Sequence, residues 1–192
     1  MPKMTLNKIF IFVEGDYDKS FFEQIICPRF KTRNKDTKII PYHGDYYKGK
    51  KGKELIVKII KSVDRNNKQK KLDIHYDYLI VTDIDRCPCV TSKKKEFIDK
   101  IKNIDNNKII VVIKEIEGWY LAGLDEKSLK RIGIRRKLKD TNNITKNEFM
   151  ELVPKEKMPK EFALEILSLY SLDVGIQKNQ SLKYFIKKYL SD

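Results

Sequence analysis

The sequence has no long apolar run. Its longest, Ile9-Phe10-Ile11-Phe12-Val13 and Ile109-Ile110-Val111-Val112-Ile113, stop at five residues. A membrane-spanning helix needs about twenty apolar residues and a secretory leader about 7–15, so neither a membrane partner nor export is expected and the placement expected is cytoplasmic. Cysteine is scarce: Cys27, Cys87 and Cys89 are the three. An odd, small number makes a poor disulfide framework and suits a reducing compartment. Histidine is scarcer still, with His43 and His75 alone. Cys87-Pro88-Cys89 therefore has no second pair with which to complete the four ligands of a structural zinc site. The phosphate-binding loop Gly-x-x-x-x-Gly-Lys-Ser/Thr is missing, as are repeats and low-complexity tracts. At 192 residues the chain fits one α/β domain with a small appendage, too short for a polymerase.

What the sequence has is charge. Lys and Arg number 41 against 27 Asp and Glu, a formal net charge of +14. Hydrophobic residues make up 41% and charged residues 35%, enough for a packed core and against a disordered chain. A basic excess points toward nucleic acid. It is equally what a sequence rich in Lys, Ile and Asn carries on ordinary solvated faces, so placement matters more than total.

Along the chain, short β-branched runs alternate with lysine-dotted amphipathic segments. Residues 8–13, 38–43, 76–82 and 108–113 read as strands whose consecutive apolar positions indicate burial on both faces. Residues 17–27, 53–62 and 92–104 carry helical spacing, Leu55, Val57, Ile59, Ile60 and Val63 among them. This alternation predicts an α/β fold: a Rossmann-like, mainly parallel sheet of about four strands with helices on both faces. The domain assignment is residues 1–124 for this α/β part and 125–192 for a basic helical appendage. In the appendage, residues 140–143 read as a loop, Pro159 opens a helix to about residue 170, and a last helix covers 182–190. Trp119 and Tyr120 read as core anchors at a helix start, and Phe21, Phe22, Ile25 and Ile26 as packing.

Carboxylates collect where strands stop. The first strand runs into Val13-Glu14-Gly15-Asp16-Tyr17-Asp18, the third into Val81-Thr82-Asp83-Ile84-Asp85-Arg86, and the fourth into Lys114-Glu115-Ile116-Glu117-Gly118-Trp119. In a parallel sheet these ends share the carboxyl edge, where open α/β folds bind ligands; with the first and third strands adjacent, Glu14, Asp83 and Asp85 converge. Clustered carboxylates repel unless a cation or a shared proton relieves them. Their hard oxygens suit Mg²⁺ or Mn²⁺. Each group also has a plainer reading: Asp16 and Asp18 as helix caps, Asp83 and Asp85 as turn residues, Glu115 and Glu117 as surface acids paired with lysines.

The strand–Glu-Gly-x-x-Asp–helix element, Phe12 to Asp18 followed by Phe21-Phe22, with the later strand–Asp-x-Asp element Leu79 to Asp85, resembles the Toprim superfamily. That catalytic domain occurs in type IA and type II topoisomerases, bacterial primases, overcoming-lysogenization-defect nucleases and small maturation ribonucleases. Glu115-Ile116-Glu117-Gly118-Trp119-Tyr120-Leu121-Ala122 and the ending Gln180-Ser181-Leu182-Lys183-Tyr184-Phe185 resemble the small standalone Toprim-like proteins of bacteria and archaea. The resemblance implies a Toprim-like sheet in which Glu14 is a metal ligand or general acid/base, and Asp83 and Asp85 hold Mg²⁺ or Mn²⁺. It gives Asp18 an assisting role and Glu117, with Glu115, a second metal position. The chain has no room for the tyrosine-bearing domain of a topoisomerase, so simple hydrolysis is expected rather than strand passage.

Between the second strand and the second helix lies Gly44-Asp45-Tyr46-Tyr47-Lys48-Gly49-Lys50-Lys51-Gly52-Lys53. Leaving a strand's carboxyl end, it brings lysines and tyrosines to the acidic edge, suited to phosphates and a stacked base. Lys48, Lys50, Lys51 and Lys53 with Arg86 are the expected nucleic-acid contacts, and Lys93, Lys94 and Lys95 follow on the same edge. His43, at a strand end, reads as structural. The expected function is metal-dependent hydrolysis of a DNA or RNA phosphodiester. The competing expectation is a non-catalytic scaffold that binds nucleic acid or a protein partner, a second copy included.

Overall fold

The computed structural model of the chain describes residues 6–42, 50–69, 74–101 and 104–190. It is an α/β fold whose four parallel strands run in the order β2-β1-β3-β4. The strands are β1 Leu6–Val13, β2 Lys35–Pro41, β3 Ile74–Asp83 and β4 Ile109–Val112. β1 pairs in parallel with β2 from Asn7↔Lys35 to Val13↔Pro41, and with β3 from Leu6↔Ile74 to Phe12↔Ile80. The first and third strands are therefore adjacent, the condition left open above. The sheet is fully parallel because each crossover contains helix, the connection such strands require. Among the described residues no helix is long and apolar enough to cross a membrane, and none of the three cysteines is in a disulfide.

The chain divides into two compact units, Met1–Thr82 with Thr91–Ile110, and Asp83–Val90 with Val111–Asp192. The boundaries fall at the end of β3, just after residue 90 and within β4, and each unit has its own core.

In the first unit, β1 runs into one helical stretch made of α1 Asp16–Phe21, a π turn Phe22–Ile26 and α2 Cys27–Lys31. Pro28 has no N–H for the ladder and its ring would crowd the carbonyl four residues back. The wider π turn, in which the Cys27 N–H reaches the Phe22 carbonyl, lets the helix continue past it. This is why the helix outlasts the expected stop at residue 27. Phe21, Phe22 and Ile26 are fully buried, as expected of packing residues, together with Ile11, Phe12 and Ile80. Each such side chain contributes about 1.5–3 kcal/mol of hydrophobic stabilisation. α3, Lys50–Gln69, buries Ile56, Ile60 and Val63 at helical spacing. It extends beyond its expected end because the Asn67 side chain binds both backbone groups of Tyr76, at 2.7 and 2.9 Å. α4, Val90–Lys100, and a short 3₁₀ turn, Asn106–Lys108, lead into β4.

The second unit is a set of short helices: α5 Glu117–Ala122, α6 Glu126–Arg131, α7 Lys146–Leu152, α8 Pro159–Ser168, α9 Leu172–Lys178 and α10 Gln180–Tyr189. Side-chain caps mark most of their starts: Asp125 accepts from Ser128 N at 2.7 Å, Ser171 from Val174 N at 3.4 Å and Asn179 from Leu182 N at 3.1 Å. Thr145 and Glu148 form a reciprocal capping box. Trp119 and Tyr120 lie fully buried on α5. The indole N–H of Trp119 donates to Ser181 Oγ at 2.8 Å, and Ser181 donates onward to Asn179 at 2.9 Å.

Candidate functional site

At the carboxyl edge of the first unit, Glu14 is the residue that follows β1, and the register of β1 with β3 sets it opposite Thr82. The Thr82 hydroxyl donates to Glu14 Oε1 at 2.5 Å. Thr82 is buried and Glu14 half-buried. Tyr42, the residue after β2, adds a second support: its phenol donates to the Val81 carbonyl at 3.1 Å and lies 3.5 Å from the same Glu14 oxygen. Tyr42 is itself pinned by the bond from its N–H to Val13 O, 2.9 Å, and by an edge-on contact with Phe97. Three neighbouring strand ends thus hold one carboxylate. Neither Thr82 nor Tyr42 stands out in the sequence: Thr82 looks like one more β-branched strand residue and Tyr42 like a loop aromatic. The available signal was position, since each sits at the last turn of a strand beside the Glu-Gly motif.

Asp18 is buried, and its Oδ2 accepts from the Gly15 N–H at 3.1 Å. That is the reach-back half of a capping box, so the cap reading of Asp18 describes what its carboxylate does in the fold. Lys51 and Lys53 are exposed on the first turn of α3. Lys50 begins that helix; its side chain lies outside the described residues, as do His43, Lys48 and the rest of 43–49. Lys93, far from forming an exposed rim, is buried on α4, and Lys94 binds the Asn106 carbonyl at 3.1 Å.

In the second unit, Asp83 closes β3 half-buried. The Ile84 N–H then donates to Val112 O at 2.9 Å, and the chain turns as the Cys87 N–H donates to Ile84 O at 3.0 Å. Asp85 occupies that turn at φ +49°, a left-handed conformation that Asp tolerates better than most residues. Asp85 and Arg86 are exposed. The loop after β4 repeats the feature: Lys114 has φ +64°, which costs a side chain of its kind about 1–2 kcal/mol.

Glu115 and Glu117 differ in kind. A Glu115 oxygen accepts from the Lys146 backbone N–H. Glu117 is 5% exposed, so the surface reading fails for it. Burial is the main reason its carboxyl sits above the usual range; its own backbone N–H opposes this, Glu115 reinforces it and Lys146 opposes it. Among the described residues, no group of three or more His, Cys, Asp or Glu is gathered closely enough to hold a metal ion.

Chemically, the first unit offers a carboxylate fixed by two hydroxyl groups; the second has acids at and after the ends of β3 and β4, with Arg86 beside Asp85 in sequence. In comparisons with protein-family models, with curated protein sequences and with solved structures, nothing matches this chain.

Proposed function

We propose that the chain is a divalent-metal-dependent nuclease of Toprim type, hydrolysing a phosphodiester of DNA or RNA in the cytoplasm. The observation that carries the reading is the 2.5 Å bond by which Thr82 holds Glu14. Asp83 is the next residue in the chain, so the Asp-x-Asp element follows directly on the residue that binds the Glu-Gly element. A ligand or proton acceptor needs such fixing, because its orientation sets its affinity.

The donors fit the ion. Glu14, Asp83 and Asp85 offer only hard oxygens, the type that suits Mg²⁺ or Mn²⁺. Such ions take one or two carboxylates and fill their remaining positions with water and substrate oxygens, so a preassembled group of three is not required. Asp18 and Glu117, with Glu115, are further proposed donors. When bound, the ion neutralises charge on the phosphate and acidifies a water. The chain's own residues do the rest. Glu14 is the ligand or the acceptor of the nucleophile's proton; Thr82 and Tyr42 orient it; Lys48, Lys50, Lys51, Lys53 and Arg86 bind backbone phosphates and hold the scissile bond against the edge.

The decisive experiment incubates the full chain with single- and double-stranded DNA and RNA in Mg²⁺ or Mn²⁺, beside Asp83→Ala/Asp85→Ala. Divalent-dependent cleavage lost in the double variant is expected. Equal cleavage by both proteins overturns the reading. Salt-sensitive binding without turnover, with either ion, assigns the chain instead to nucleic-acid binding alone.

A further inference from the structure

The second unit carries a basic face that the proposed site does not use. Residues 125–139 contain seven Lys or Arg against two acids. Their arrangement is fixed by burial: Leu129, Ile132, Ile134 and Leu138 are 2–4% exposed, while every Lys and Arg among them is exposed. α6 ends in a Schellman turn. Gly133 at φ +87° lets the Ile134 N–H reach Leu129 O at 2.9 Å and its own N–H reach Lys130 O at 3.1 Å. Lys130 and Arg131 lie in the last turn of the helix, and Arg135 and Arg136 follow directly on this turn.

The local acids are already engaged. Asp125 caps Ser128 at 2.7 Å, and Glu126 pairs with Lys137 at 3.1 Å. Glu148, held first by Thr145, has Arg136 and Lys114 close enough to lower its carboxyl further. Among the described residues, Arg131, Arg135 and Lys139 make no ion pair.

We propose that this face, centred on Arg131, Arg135, Arg136 and Lys139, binds the phosphate backbone of a nucleic acid. The inference rests on the nucleic-acid part of the reading above and not on its hydrolytic part. Arginine forks match phosphate oxygens in pairs, and a nucleic acid offers the closely spaced charges that a row of cations on a rigid turn needs. A lipid surface fits poorly. Membrane-surface helices expose an apolar face to the bilayer, whereas the apolar residues here are the buried ones, and the exposed large hydrophobic residues all lie elsewhere in the chain.

The test measures binding of the whole protein to labelled single- and double-stranded DNA and RNA in EDTA over a range of KCl. The variant is Arg131→Gln/Arg135→Gln/Arg136→Gln/Lys139→Gln. Its control, equal in charge removed, is Lys155→Gln/Lys160→Gln/Lys183→Gln/Lys187→Gln, all exposed. A log–log salt slope shallower by about 3–4 is expected for the first, at about 0.7–0.9 for each of four phosphate contacts. Less than half that change is expected for the control. The charge-keeping variant Arg131→Lys/Arg135→Lys/Arg136→Lys/Lys139→Arg should retain the parent slope. Equal losses in variant and control, no loss, an absence of binding by the parent chain, or loss of binding to anionic phospholipid vesicles alone overturns the inference. A parent that binds but never cleaves defeats the hydrolytic reading while the slopes still differ. Cleavage with an unchanged slope defeats the inference and leaves that reading standing.

Discussion

Thr82 donates its hydroxyl to the Glu14 carboxylate at 2.5 Å across the β1–β3 boundary. A threonine at a strand end satisfies β propensity with either of its branches, but only the hydroxyl can fix a carboxylate. Thr82→Val keeps the shape and removes the bond. The expected result is Mn²⁺ binding weakened about 10–100-fold, the usual cost of losing a group that orients a ligand. Thr82→Ser, which keeps the hydroxyl, should stay near the parent. Calorimetric titration with Mn²⁺ reads both, and equal affinities for the Val and Ser variants would show that the bond serves the strands alone.

Much of the fold could be read from residue order. The four strands and their parallel arrangement followed from apolar runs separated by helical periods, whereas the β1–β3 adjacency was a condition that such runs do not decide. The helices of the second unit were less visible. α6, α7 and α9 span six or seven residues, too few turns for a stripe to repeat, and only their caps announce them. The site was legible in its acids and obscure in its supports. Glu-Gly-x-x-Asp and Asp-x-Asp can be recognised as strings, whereas Tyr42 reaches Glu14 across 28 positions and Thr82 across 68. Those contacts exist only once register is fixed. Of the two readings of Glu117, as a surface acid and as a metal donor, the surface one fails. Its burial comes from α5, all six residues of which are buried.

That burial gives Glu117 a measurable effect on stability. Its carboxyl titrates above the usual range, first because water is withdrawn from it. Between the ordinary carboxylate value and this raised value, the folded chain holds more protons than the unfolded one. Stability therefore falls as pH rises through that window and stays lower above it. Glu117→Gln removes the ionisation. In EDTA its Tm should exceed the parent's at neutral pH by about 2–4 °C, as ~1 kcal/mol gives in a chain of this size. The gap should close as pH drops below the ordinary carboxylate range. Thermal scans across pH read it directly, and a gap independent of pH would mean that packing rather than charge sets the difference.

The second unit also contains a contact that depends on the absence of a side chain. A Cβ at Gly123 would lie 2.3–2.5 Å from ring atoms of Tyr170. The ring has little freedom to withdraw: its hydroxyl donates to Trp119 O at 3.0 Å, and the adjoining Ser171 N–H donates to Gly123 O at 2.9 Å. Gly123 itself has φ −75°, which any residue adopts, so the requirement is space and not backbone freedom. Gly123→Ala should cost about 1–3 kcal/mol, the range for overpacking a filled core. Removing the ring tests the cause. Adding Tyr170→Leu to Gly123→Ala should cost less than the sum of the two single changes, because the clash is counted once and then deleted. Gly133→Ala supplies the opposite case. No atom lies within 4 Å of a Cβ there, but φ is +87°, so it should cost about 1 kcal/mol through backbone strain alone and gain nothing from Tyr170→Leu. Additive costs for Gly123→Ala and Tyr170→Leu in urea unfolding would refute the steric account.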